Sequence, residues 1–339
     1  MVEYALEVNK LTKKFGNFTA VNDLSLNVKQ NEIFGFLGPN GAGKSTTIRM
    51  LCTLAKPTSG SAKIAGYDLI KDPSKVRQKI GLVAEKMIMY EDLTAAENLR
   101  FFGKIYKMPK KKREERIDQL LNLVDMEKWK DTQISKFSTG MKQRINVIRA
   151  LLPEPEILFM DEPTLGLDPQ TTFAIREIIR DINNKGVTVI LTTHAMTEAE
   201  LLSDHIAIID HGEVAALDTP QNLKDTLANS DTTIFTTKIK NLTTDMIEKI
   251  RSVDVVSALA QQDDQNLKIS ATGDDALNKI IDAIRLEGGE IFSITNSNES
   301  TLEDVFLSIT GKEIRDHPTE KPAPQQHGHG PRPQARGRG

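Results

Sequence analysis

Residues 32–46 read Glu-Ile-Phe-Gly-Phe-Leu-Gly-Pro-Asn-Gly-Ala-Gly-Lys-Ser-Thr, and no other stretch narrows the fold as much. A short apolar run ends in a glycine-spaced turn. A helical pattern follows from Lys44, with Ile48, Leu51 and Ala55 on one face and Pro57-Thr-Ser-Gly60 as its stop. The turn satisfies G-x-x-x-x-G-K-[ST] in the strand–loop–helix context that this chemistry needs. The loop Gly38-Pro39-Asn40-Gly41-Ala42-Gly43 lets backbone N–H groups face phosphate oxygens, and the start of the helix adds favourable potential. Lys44 is placed to reach the β- and γ-phosphates, Ser45 to ligate Mg²⁺, and Thr46 to complete the cradle. The bland alternative is a glycine turn with a solvated lysine.

A phosphate loop alone specifies only a nucleotide. Ile157-Leu-Phe-Met160 is a buried-strand pattern that ends in Asp161-Glu162-Pro163. A parallel sheet presents such acids at its carboxyl edge, where ligands bind. Asp161 fits a Mg²⁺ partner and Glu162 a general base for an attacking water. Apolar, β-rich runs at 156–161 and 187–193 alternate with helical segments, and residues 95–125 are largely helical in pattern. Residues 4–28 read as strands. The expected class is α/β, with a parallel sheet covered on both faces.

The chain has 339 residues, 39% hydrophobic and 27% charged, which excludes global disorder and suits two domains with a tail. A net charge of −3 argues against a nucleic-acid-backbone binder. One cysteine, Cys52, fits a reducing compartment. No secretory leader is expected from the opening Met1-Val-Glu-Tyr-Ala-Leu-Glu, and no apolar run approaches the roughly 20 residues that span a bilayer. The basic run Lys104–Arg116 carries acids within it and reads as a solvated helix face.

Beyond Leu227, Ala-Asn-Ser-Asp reads as a polar linker into a second unit with its own apolar stripe. The order there is β-α-β-β-α-β, which matches the split βαβ, or ferredoxin-like, plan. Ser300-Thr-Leu-Glu303 reads as a capping box opening a last helix, with Leu302, Val305, Phe306 and Ile309 inward and Gly311 after it. The proline-rich residues after 312 carry almost nothing apolar, so this tail, His327-Gly-His329 included, is expected to be disordered.

Between the two sites lies Phe137-Ser138-Thr139-Gly140-Met141-Lys-Gln-Arg144. After them come Thr164-Leu-Gly-Leu-Asp168-Pro and Leu191-Thr-Thr-His194. In this order the set resembles the ATP-binding cassette (ABC) ATPases over roughly residues 3–225. The resemblance implies a P-loop NTPase with a RecA-like parallel core, an antiparallel β subdomain and a helical subdomain near 87–150, together residues 1–226. A small α+β domain at 231–311 and the tail at 312–339 complete the plan. It also implies that Phe15 stacks on adenine, although an aromatic at this position equally suits packing on a sheet. Ser138 and Gly140 would clamp the γ-phosphate bound by a second copy, Asp168 would cross the dimer seam, and His194 would contact the γ-phosphate. Two copies would sandwich two ATP molecules head to tail.

Thr139 and Met141 depart from the usual signature, and Glu85 stands where the family has a glutamine near the metal. Similar variants occur in cassettes of antibiotic-resistance, sodium-export and multidrug exporters. Thr301–Gly311 looks like the close of the accessory domain of daunorubicin-resistance-type ATPases. The implied protein is the ATPase subunit of an exporter. It would sit on the inner face of the membrane through a separate permease that binds the cargo and docks near Met87–Phe102. The other readings are a soluble cassette acting on ribosomes or DNA, and a module without turnover. The first lacks the usual second cassette or coiled-coil insertion; the second conflicts with an intact Lys44, Asp161, Glu162 and His194.

Overall fold

The computed structural model describes residues 4–228, 232–296 and 300–310. Strands β1 (Tyr4–Phe15) and β2 (Phe18–Lys29) form a hairpin and lead into β3 (Ile33–Leu37), which opens the core sheet. Helix α1 (Lys44–Leu51) follows, then β4 (Ser59–Ile64), β5 (Tyr67–Asp68), α2 (Pro73–Lys79) and β6 (Ile80–Val83). A helical layer comes next: α3 (Ala95–Ile105), α4 (Lys110–Leu123) and α5 (Thr139–Leu151). The chain returns to the core with β7 (Ile157–Asp161), α6 (Pro169–Asn184), β8 (Thr188–Thr193), α7 (Met196–Leu202), β9 (His205–Asp210) and β10 (Glu213–Asp218), and α8 (Pro220–Ala228) follows.

The core sheet has the order β10-β9-β3-β8-β7-β6, parallel throughout except where β10 pairs with β9. Every residue of β3, β7 and β8 is buried, as a sheet covered on both faces requires. Their alternating side chains feed two cores. Leu158, Met160, Val189 and Leu191 face the layer of α3 to α6. Phe34, Phe36, Phe159 and Ile190 face α1 and the antiparallel sheet β2-β1-β4-β5.

Two local expectations are corrected. Helix α1 ends at Leu51, well before Pro57, because Thr53 takes a left-handed turn at φ 60°; Ala55 lies beyond the helix. The helical run at 95–125 is two helices, broken where Lys107 has φ 56° ahead of Pro109. Helix α3 starts on a capping box between Thr94 and Glu97. Most of the basic run is exposed, as a solvated face requires, and Arg113 is its one buried residue. Glu114 accepts from Arg100 Nε at 2.7 Å.

The last part of the chain runs β11 (Thr232–Lys240), α9 (Thr244–Arg251), β12 (Val256–Gln261), β13 (Asn266–Thr272), α10 (Ala276–Leu286), β14 (Glu290–Asn296) and α11 (Leu302–Thr310). Its sheet is antiparallel in the order β12-β13-β11-β14, the arrangement of the split βαβ plan. Ile280 and Ile284 of α10 and Met246 and Ile250 of α9 pack on one face of that sheet.

Helix α11 behaves differently from the reading of its sequence. The box opens one residue later than predicted: Thr301 Oγ1 accepts the Asp304 amide, and Asp304 Oδ2 accepts the Thr301 amide at 2.8 Å. Ile309 is exposed, and Leu307 is buried in its place against Ala258 and Ala260 of β12. The other face of α11 buries Leu302, Val305 and Phe306 in one cluster with Leu37 of β3, Ile206 and Ile208 of β9, Met196 of α7 and Leu223 of α8. A polar linker suggested self-contained units; α11 joins the accessory sheet to the core sheet instead. Gly311, the linker at 229–231 and the tail with His327 and His329 lie outside the described residues.

Candidate functional site

The residues between β3 and α1 wrap the start of the helix. Gly43 caps α1 at φ 104°, a left-handed conformation natural to glycine, and a Cβ there would sit 2.4 Å from the Ala20 carbonyl oxygen. Lys44 is 5% exposed, and its Nζ donates to the carbonyls of Gly38 (2.6 Å) and Pro39 (3.2 Å). It also lies 3.5 Å from Glu162 Oε1. Burial draws the Lys44 ammonium below the usual lysine range, against the opposing pull of Glu162.

The adjacent ends of β7 and β8 bring the acids in. Asp161 Oδ1 accepts from Ser45 Oγ at 2.9 Å and from Thr192 Oγ1 at 2.7 Å. Glu162 turns out of the strand at φ 48°, and its amide donates to the Thr192 carbonyl and hydroxyl oxygens. Its Oε2 pairs with His194 Nδ1 at 2.9 Å. Glu162 therefore stands between a lysine and a histidine, each within reach of one carboxylate oxygen.

Lys44, Ser45, Glu162 and His194 line a cavity of about 590 Å³ with Pro39, Asn40, Gly41, Gly43 and Thr46 from the loop; Gly38, Ala42 and Asp161 are not on its wall, and Asp161 connects to it through Ser45. Glu85, at the end of the segment after β6, reaches the same cavity. The aromatic on the cavity wall is Phe18, which sequence reasoning missed. Phe15 is its cross-strand partner, half-exposed, with Lys13 Nζ 5.0 Å from its ring centroid. As cross-strand partners the two rings share one face of the hairpin, so alternation does not separate them.

Ser138, Gly140 and Asp168 do not line this cavity. Gly140 and Asp168 meet elsewhere, around Thr171 of α6, and Ser138 stands at the start of the helix that carries Gly140. Ser138 caps α5 by accepting the Met141 amide. A Cβ on Gly140 would come 2.5 Å from Thr171 Cγ2. Asp168 caps α6, accepting from the Thr171 amide at 3.0 Å and its hydroxyl at 2.6 Å, which holds the Asp168 carboxyl below its ordinary range. Helix α5 also ties the two constellations together. Gln143 donates to the Pro163 carbonyl at 2.6 Å, Asn146 to that of Ala84 at 3.3 Å, and Arg149 to that of Ile88 at 2.6 Å.

Residues 21–165 match the family model described as ABC transporter. Over 316 residues the chain is 37% identical to the linearmycin resistance ATP-binding protein LnrL of Bacillus subtilis, covering 92% of this chain and 100% of that one. The chain belongs to the ABC transporter family. It is an ATP-binding ATPase of that family. The daunorubicin/doxorubicin resistance ATP-binding protein DrrA of Streptomyces peucetius is 33% identical over 327 residues, 95% of this ABC protein and 97% of its relative. A solved ABC ATP-binding subunit superimposes at a TM-score of 0.60 with 33% identity, over 66% of this chain and 93% of that one. A dimeric cassette in a post-hydrolysis state with ADP and Pi matches at 0.57 and 29%, over 63% and 98%. No helix among the described residues is long and apolar enough to cross a membrane.

Proposed function

We propose that this ABC ATPase is the hydrolytic subunit of an exporter, acting on a separate membrane permease from the inner face of the membrane. The observation that carries the reading is the division of the site. Lys44, Glu162 and His194 share one cavity, while Ser138, Gly140 and Asp168 gather on another surface. Either half is incomplete alone, and a second copy docked head to tail supplies the other half. The export assignment draws on the full-length likeness to resistance ATP-binding proteins. Residues 1–226 form the cassette in this reading, with its helical subdomain near 87–150, and 231–311 the accessory domain. The permease binds the cargo, and no specific nucleic acid takes part.

ATP enters with its phosphates against the amides of 38–46 and its adenine against Phe15 or Phe18 at the hairpin end. Lys44 exchanges its carbonyl partners and Glu162 for phosphate oxygens. That exchange releases Glu162 Oε1 to accept a proton from water, while His194 Nδ1 holds the other oxygen. The Ser45 hydroxyl and the Asp161 carboxylate, already in contact, are hard oxygen donors of the kind Mg²⁺ takes together with phosphates. Bound there, Mg²⁺ would neutralise charge on the phosphate chain. The helix α5 of the second copy presents its Ser138 end to the γ-phosphate.

Glu85 brings a further carboxylate to the cavity. Coulomb terms at ~4 Å reach several kcal/mol before screening. Glu85→Gln should therefore retain hydrolysis but need more Mg²⁺ for half-maximal rate, and Glu85→Ala more still. A Mg²⁺ titration at fixed ATP checks this; superimposable curves would mean that Glu85 faces solvent and does not sense the metal.

The export reading is tested by solubilising host membranes in detergent and purifying the full-length chain. Co-purification with a multi-helix membrane protein that stimulates its ATPase rate is expected. Sedimentation with ribosomes, and none with membranes, would favour the soluble-cassette reading and overturn this one.

A further inference from the structure

We propose that Glu198 is a positioning residue that holds the Glu162 carboxylate and the His194 imidazole in register. Glu198 lies on α7, four residues past His194, and is 1% exposed. Its Oε1 accepts from Thr164 Oγ1 at 2.6 Å and its Oε2 from Thr193 Oγ1 at 2.9 Å. Arg176 Nε stands 3.8 Å from Oε1. Thr164 is two residues after Glu162, and Thr193 immediately precedes His194. One buried carboxylate thus ties the segment leaving Glu162 to the turn entering His194.

The tie matters because Glu162 is held in a conformation it would not choose. A left-handed φ on a side-chain-bearing residue persists only where its surroundings over-determine it. Three contacts fix the segment: Thr192 on the Glu162 amide, Gln143 on the Pro163 carbonyl, and Glu198 on the Thr164 hydroxyl. Of these three, Glu198 also holds the Thr193 turn. Hydrogen bonds to a carboxylate are about twice as strong as neutral ones, and burial sharpens them. Leaving such a group buried is tolerable here because both oxygens accept and a guanidinium is nearby. Thr164 also begins the loop to Asp168, so the seam loop and the Glu162–His194 pair share one anchor.

The inference rests on the roles given above to Glu162 and His194. Glu198→Gln keeps the size of the side chain but removes its charge and one acceptor. A misplacement near 1 Å costs up to ~10²-fold in rate. We expect kcat to fall about tenfold or more, with the ATP dissociation constant held within about twofold, because the loop at 38–46 takes no hydrogen bond from Glu198. Thr164→Val should lower kcat in the same way, because it removes the hydroxyl that donates to Glu198 Oε1. Phosphate release and binding of a non-hydrolysable ATP analogue are measured on the purified full chain. Wild-type kcat in Glu198→Gln or Thr164→Val, or a parallel loss of nucleotide affinity, would each overturn the proposal. If Glu198→Gln does not fold, Thr164→Val carries the test alone. Glu162→Gln separates the two claims. Normal hydrolysis there removes the catalytic assignment, whereas an inactive Glu162→Gln beside a fully active Glu198→Gln removes only the positioning role.

Discussion

Glu162→Gln should abolish most ATP hydrolysis while leaving ATP binding intact. General-base assistance is typically worth ~10²–10⁴-fold, and a neutral amide cannot take a proton from water. The substitution is nearly isosteric in a side chain that is 9% exposed, and the backbone at Glu162 is fixed by its own amide rather than by the carboxylate. Lys44 should lose its ion-pair partner and become more available to phosphate. The variant should therefore accumulate as an ATP-bound dimer. Phosphate release gives the rate, and size-exclusion with and without ATP gives the assembly. Normal phosphate release would remove Glu162 from the role of base.

Phe306→Ala should destabilise the core of the whole protein, not only its last helix. Phe306 is 1% exposed in the cluster that includes Leu37, Ile206 and Ile208 of the core sheet. Truncating a buried phenylalanine costs about 3–5 kcal/mol. The urea midpoint for the change in core-sheet signal should shift together with that of the accessory sheet. Leu286→Ala, at a site 76% exposed, should leave both within about 0.5 kcal/mol of wild type. A chain ending at Leu227 should expose Leu223, Met196 and Ile206 and lose solubility. If that fragment is soluble and as stable as the parent, the cluster is dispensable.

Features set by local chemistry were legible in the sequence. The strand at 33–37, the turn at 38–43 and the helix from Lys44 follow from an apolar run, glycines and a 3.6-residue pattern. Asp161 and Glu162 emerge at a sheet edge because an apolar strand ends there. The unread features depend on contacts distant in sequence. Proline marked a helix end at 57, but a left-handed Thr53 had ended it earlier. Phe15 and Phe18 are cross-strand partners, and only Phe18 lines the cavity. Glu198 sits on a short helix and carries no motif; only folding brings Thr164 to it from 34 residues away. One apolar face of α11, Leu302, Val305 and Phe306, was visible; the face of Leu307 and the strands that both faces meet were not.

Helix α11 also bears on how the chain is made. Strand β3 leaves the ribosome early and α11 among the last described residues, yet both belong to one apolar cluster. Domains generally fold from the amino end during synthesis. Here the groove formed by Leu37, Ile206, Ile208 and Leu223 must wait for Leu302, Val305 and Phe306 before it is closed. A nascent or prematurely terminated chain would carry an open greasy slot beside a nearly finished nucleotide site. Chaperones and proteases recognise such surfaces. In a chain that stops before residue 302, nothing of α11 covers that apolar groove.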